Sequence, residues 1–190
     1  EFWQSNNDNE FNKKYVLAIG NDYARDWRTL INSWDSNFPN LRLVTNLPIS
    51  TNKKNIRIIK GNWEDKVLSD LDVKKLYINC FYVIIPLNDT IQPSGQSCCL
   101  QAMACGKPVI MSNIKGLWDR NLLINKENIL LVKPNSVNDL KRAIKEMNNN
   151  KILYEKLKSS SKKLIEHNFN NNIMSKYIES KVKEIIEKNN

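Results

Sequence analysis

The sequence predicts a doubly wound α/β domain: a parallel sheet of about six strands, helices on both faces, and a further helix at the C-terminus. Three observations predict it. Short apolar runs alternate with stretches of helical spacing from residue 15 to about residue 170. The runs are apolar at successive positions rather than at every second one, which requires a sheet covered on both sides. A chain of 190 residues, 41% of them hydrophobic, is also long and apolar enough for one real core.

Each element has its own warrant. Residues 1–14 are polar and Asn-rich and read as a linker or arm. Tyr15-Val-Leu-Ala-Ile19 is an apolar run closed by Gly20, a buried strand. Leu30, Ile31 and Trp34 recur at helical spacing before the stop at Pro39. Leu41–Thr45 and Asn55–Ile59 read as strands, the second closed by Gly61. Val73, Leu76 and Tyr77 mark a helix that runs into the strand Phe81-Tyr-Val-Ile-Ile85, which ends at Pro86. Gln96–Cys105 reads as a helix with Gly106 as its stop. Val109–Met111 is a strand, Leu117–Leu122 a short helix, and Asn128–Val132 a last strand. Ser136 is the N-cap of a helix carrying Leu140, Ile144 and Met147. Helices over about 151–166 and 172–187 follow. In the last, Ile173, Met174, Tyr177, Ile178, Val182, Ile185 and Ile186 form one stripe. Such a stripe docks on its own domain or toward another. Accompanied by Lys176, Lys181, Lys183 and Lys188, it also suits contact with an anionic membrane.

Composition narrows the function. No run reaches the roughly 18 apolar residues of a membrane helix, and Glu1-Phe2-Trp3-Gln4 lacks the basic start and apolar run of a signal peptide. The chain reads as soluble and cytoplasmic. The net charge of +9 fits a phosphorylated partner, but much of the Lys lies between Lys141 and Lys188, interspersed with Glu, as on a solvated helical face. No basic-aromatic interleaving of a nucleic-acid binder is present. Cys80, Cys98, Cys99 and Cys105 form no C-x-x-C pair and His167 is the only histidine, which argues against zinc, disulfides and Cys-His or Ser-His-Asp catalysis.

Two loops stand at carboxyl ends of strands, where open parallel sheets bind ligands. In Gly20-Asn-Asp-Tyr-Ala-Arg25-Asp26, Gly20 permits a sharp turn and Arg25 supplies a planar, permanent charge for phosphate oxygens. In Pro93-Ser94-Gly95-Gln96-Ser97, small residues open a helix whose free N–H groups and positive dipole end attract an anion; ordinary N-capping by Ser94 or Ser97 is the structural alternative. Gln101 lies one turn deeper on the face of Ser97. Together the loops describe a diphosphate cradle. Neither a G-x-x-x-x-G-K-[ST] nor a G-x-G-x-x-G motif is present, so this is no P-loop or dehydrogenase-type site.

The run Ser94-Gly-Gln-Ser-Cys-Cys-Leu-Gln-Ala-Met-Ala-Cys-Gly-Lys-Pro-Val-Ile110 resembles the signature of family-4 retaining glycosyltransferases of the GT-B fold, in which a Glu-x7-Glu pattern leads into Glu-Ala-Met-Ala-x-Gly-x-Pro-Val. Phe81–Pro86 looks like the preceding strand, and Gly20 with Arg25 like the loop that grips the donor diphosphate. Asn128–Pro134 resembles a downstream strand of the family, and Glu1-Phe2-Trp3 the end of its interdomain linker. The sequence departs at three positions. The second Glu, which holds the donor ribose, is Gln101. The first, which contacts the donor sugar, falls at Pro93, leaving that work to Ser94–Ser97 as in Ser-Gly-Gln variants. The Arg expected after Gly20 is Asn21.

The resemblance implies a nucleotide-sugar-binding domain over 15–170 and a C-terminal amphipathic helix over 171–190. It implies a hexosyltransferase-type enzyme of polysaccharide biosynthesis, transferring a sugar with retention to a glycan or lipid-linked acceptor. No metal is implied, and Arg25 would stabilise the leaving diphosphate. Donor contacts fall to Gly20, Asn21, Arg25, Ser94, Gly95, Gln96, Ser97 and Gln101. The acceptor would bind an N-terminal domain missing from these residues, so the chain alone is expected to be inactive; the full-length protein could rest on a membrane. Two rivals remain: a degenerate GT-B-like scaffold and a sugar-nucleotide epimerase, the latter disfavoured by the single His167.

Overall fold

The run Tyr15–Ile19 is buried at all five positions and forms β1 in the computed structural model, which describes residues 2–4, 15–61, 68–169 and 171–188. Successive strand side chains point to opposite faces. Tyr15, Leu17 and Ile19 accordingly enter one core and Val16 and Ala18 the other. Burying a Leu or Ile side chain stabilises by about 1.5–3 kcal/mol, so a strand apolar on both faces is held from both sides.

The elements follow in the order α1 (Trp27–Ser33), β2 (Leu41–Val44), β3 (Ile56–Ile59), α2 (Asp70–Ile78), β4 (Cys80–Ile85), α3 (Gln96–Ala104), β5 (Val109–Ser112), β6 (Leu130–Val132), α4 (Val137–Asn149), α5 (Lys151–Asn168) and α6 (Asn171–Lys188). The six strands are all parallel, in the order β3-β2-β1-β4-β5-β6. One face packs on α2 and α3 through Val73, Tyr77, Cys99, Ala102 and Met103. The other packs on α1 and α4 through Trp27, Leu30, Leu140, Ala143, Ile144 and Met147. Helix α5 serves both, with Leu153 and Leu157 in the second core and Leu164 and Ile165 in the first.

Capping follows the sequence. Ser136 accepts from the Asp139 N–H, and Ser69 with Asp72 closes a capping box on α2. The ammonium of Lys53 donates to the carbonyls of Ile31 and Trp34 and closes α1 at its C-terminal end. Of the arm assigned to residues 1–14, residues 1 and 5–14 lie outside the described residues. Trp3 sets its ring edge-on to Tyr77, and its carbonyl accepts from the Cys105 thiol at 3.1 Å.

One expectation is corrected. Residues 117–122 form turns, not a helix. The Asp119 carboxylate accepts from the N–H groups of Asn121 and Leu122, Asn128 donates to the Leu122 carbonyl, and Arg120 donates to the Ile114 carbonyl. Side chains thus take the backbone groups a helix would use. Along α6, Met174, Tyr177, Ile178, Val182, Ile185 and Ile186 are all exposed, between 48% and 63%. No helix among the described residues is long and apolar enough to cross a membrane.

Candidate anion-binding site

Strands β1 and β4 are neighbours, yet the chain leaves them toward opposite edges of the sheet. The crevice at their carboxyl ends is the switch point of a doubly wound fold. The loop after β1 and the loop after β4 meet there. The Asp26 N–H donates to the Pro86 carbonyl at 3.0 Å, and the Asn88 N–H to the Ala24 carbonyl at 2.8 Å.

These rungs turn Arg25 inward, leaving its side chain 2% exposed. The guanidinium lies between the two predicted glycines. A Cβ at Gly20 would stand 2.1 Å from Arg25 Nε, and one at Gly95 3.3 Å from Nη1. Both loops approach the charge closely because neither has a side chain there. Nη2 donates to the Cys98 sulfur at 3.2 Å. Nε is 2.9 Å from an Asp22 oxygen, but its N–H does not point along that contact, so the attraction is ionic. Nη1 is buried with no hydrogen-bond partner among the described residues. An unmet buried donor costs about 1–3 kcal/mol.

Asp22 bridges the loops: its other oxygen accepts from the Ser94 hydroxyl at 2.7 Å. Ser94 therefore caps no helix. The N-cap of α3 is Gly95, at φ +78°, with no side-chain cap bond. The first-turn N–H groups of a helix have no intrahelical acceptor, and here they open beside Arg25. Gln96 and Ser97 lie exposed on that turn.

One turn deeper, the Gln101 carbonyl oxygen accepts from the Tyr77 hydroxyl at 3.2 Å. Burial pushes the Tyr77 phenol well above its ordinary range, keeping it a donor. The carbonyl end of the Gln101 amide is thereby engaged within the domain. Asn21 is placed differently. Its amide donates to the Gly61 carbonyl at 2.9 Å and accepts from the Asn46 N–H at 2.7 Å, tying together the loops after β1, β2 and β3.

The structure thus brings Gly20, Arg25, Ser94, Gly95 and Gln101 together, with Gln96 and Ser97 at the rim. Sequence reasoning missed Asp22, Cys98, Tyr77 and Asn135. Asp22 carried a signal, three residues before Arg25 in the same loop. Asn135 carried none: its amide donates to Asp26 at 2.9 Å and Asn88 at 2.8 Å, joining loops far apart in the chain. A groove of about 960 Å³ opens at the opposite end of the sheet, lined by Phe38, Phe81, Tyr154 and Lys145, and none of the predicted residues borders it. Among the described residues no three His, Cys, Asp or Glu side chains group to hold a metal ion.

The family profile described as glycosyl transferases group 1 matches residues 51–164. No curated protein matches significantly. Among solved structures, Anabaena HepE in complex with UDP-glucose is similar over 91% of this chain and 49% of its own, at 15% identity and a TM-score of 0.70. The C-terminal domain of the group 1 family protein LpcC from Francisella tularensis is similar over 90% and 96%, at 15% identity and a TM-score of 0.69. Sucrose-phosphate synthase from Thermosynechococcus elongatus is similar over 93% and 46%, at 21% identity and a TM-score of 0.71. At such identities the likeness is one of fold, and this chain spans about half the length of HepE.

Proposed function

The chain belongs to the group 1 glycosyl transferases, and from that premise we propose that its two loops bind the diphosphate of a nucleotide sugar. One observation carries the reading: the Arg25 guanidinium is buried at the switch point with Nη1 unpartnered, beside the uncapped start of α3. A buried cation with an unmet donor is stabilised by an incoming anion. The two loops already share one anion, the Asp22 carboxylate, in the place the diphosphate would take.

The chemistry follows from charge. When a glycosidic bond to a nucleoside diphosphate breaks, negative charge grows on the leaving oxygens. Arg25 and the α3 amides are fixed before that charge appears, so they stabilise it without reorganising. Gln101 would meet a hydroxyl of the donor one turn away, through its amide nitrogen. In this reading the sugar passes with retention, as in family-4 enzymes, to a glycan or lipid-linked acceptor of polysaccharide biosynthesis. No metal is required if cation and amides take the charge. The acceptor binds a further domain, and the exposed stripe of α6 is a surface available to it. The 190 residues alone then bind donor without turning it over.

Calorimetric titration with UDP-, GDP- and ADP-sugars tests the proposal. Binding of one nucleotide class is the expected result. Failure of all three at millimolar concentration would leave the degenerate-scaffold reading in its place.

A further inference from the structure

Cys98 differs from the other three cysteines in what surrounds its sulfur. Cys80, Cys99 and Cys105 are buried. Burial pushes the thiol of Cys99 up and that of Cys105 up to about 11, as in inert core thiols. Cys98 is only half-buried and is the third residue of α3. Its sulfur accepts from Arg25 Nη2 at 3.2 Å and donates to the Ile19 carbonyl at 3.4 Å. The guanidinium and the start of α3 thus both lie beside the sulfur, where they attract an anionic reagent. A second observation is independent of the thiol. Arg25 Nη1, on the same guanidinium, is buried without a partner beside Gly95. It is a donor that an anionic reagent can satisfy within reach of the sulfur.

We infer that Cys98 is a modification site for small anionic disulfides, and that its modification closes the anion site. The Cys98 sulfur attacks one sulfur of the disulfide. A Cys98–S bond forms, the reagent's S–S bond breaks, and the second sulfur leaves as thiolate with the bonding pair. The Cys98 proton goes to solvent. The disulfide is the oxidant and is reduced as the thiol is oxidised. The group left on Cys98 then lies over Arg25 and the start of α3, where the diphosphate is placed; this closing half rests on the function proposed above.

The test uses the whole chain and the chromogenic disulfide dithiobis(nitrobenzoate), with inorganic pyrophosphate as competitor. The expected result is a fast phase of one equivalent in the native chain. It should be absent from Cys98→Ser and Cys98→Ala and slowed by pyrophosphate. The labelled chain should lose pyrophosphate binding in calorimetry and regain it with dithiothreitol. Absence of a fast phase, or its persistence in folded forms of both variants, would overturn the site. A fast phase specific to Cys98 but indifferent to pyrophosphate would overturn the closing alone. Because pyrophosphate probes the anion site directly, these results stand apart from whether any nucleotide sugar binds.

Discussion

Arg25 brings a permanent charge to a place where its side chain is 2% exposed and meets one half-exposed carboxylate. Such a residue answers to its partners more than to the solvent. Changing Arg25 to Ala is expected to weaken nucleoside diphosphate binding by about 1–3 kcal/mol, the scale of hydrogen bonds to charged groups. Lys should restore only part, because an ammonium lacks the planar fork that reaches Cys98 and the α3 end together. Equal affinity of Arg25→Ala and wild type in calorimetry would remove Arg25 from the site. Asp22 should act with the opposite sign. Its carboxylate occupies the cation that the ligand needs, so Asp22→Asn is expected to tighten diphosphate binding. The gain is roughly 0.2–1 kcal/mol, since the carboxylate is partly in water and screened. Weaker binding would instead make Asp22 the clamp that holds the Ser94 loop in place.

At the scale of elements, the start of α3 depends on Gly95. At φ +78° a side chain is strained by about 1–2 kcal/mol, and a Cβ would also stand 2.7 Å from Ile85 and 3.3 Å from Arg25. Gly95→Ala should therefore lower both Tm and diphosphate affinity. A fall in Tm with affinity intact would separate the α3 terminus from the ligand. These elements were legible because burial on two faces imposes uninterrupted apolar runs, and each predicted strand is present. Residues 117–122 were not, because Leu117 and Leu122 are spaced for a helix while Asp119, Arg120 and Asn128 compete for its backbone through contacts that only the fold supplies. The site was legible in part for the same reason. Loop glycines, an Arg and a helix start announce their chemistry, whereas the burial of Arg25, and the bond from Tyr77 to the Gln101 carbonyl, arise from tertiary packing. Helix α6 was readable as amphipathic, but no pattern within it names what it covers. Because its stripe is exposed, a chain ending at residue 169 should keep its near-ultraviolet circular dichroism. Its Tm should shift by less than about 2 °C, under 1 kcal/mol for a domain of this size. Loss of cooperative unfolding would show that α6 supports the domain.

At the scale of the whole molecule, two electrostatic effects oppose each other as pH rises. The chain carries +9 at neutral pH and is expected to reach zero net charge near 9.3. Self-repulsion weakens up to that point, which favours the compact state. Against this stand buried groups held neutral. Burial raises Tyr15 from 10.0 to about 12 and Cys105 from 9.0 to about 11, and pushes Tyr82 and Cys99 up as well. The unfolded chain releases these protons at the ordinary values, while the folded chain still holds them. The unfolded state thus binds fewer protons through this window, and stability falls as pH rises. Each contribution is whole below the ordinary value and is lost as pH climbs toward the raised one. Stability should accordingly be flat or rising to about pH 9 and decline between about 9 and 12. Thermal unfolding across that range checks the shape. Tyr15→Phe identifies the cause: it removes the hydroxyl that donates to the Leu76 carbonyl at 3.0 Å. The variant should be less stable than wild type near pH 8 but lose less on going to pH 11, so that the two Tm curves converge. Parallel curves would place the alkaline loss elsewhere, with the buried thiols next to be replaced.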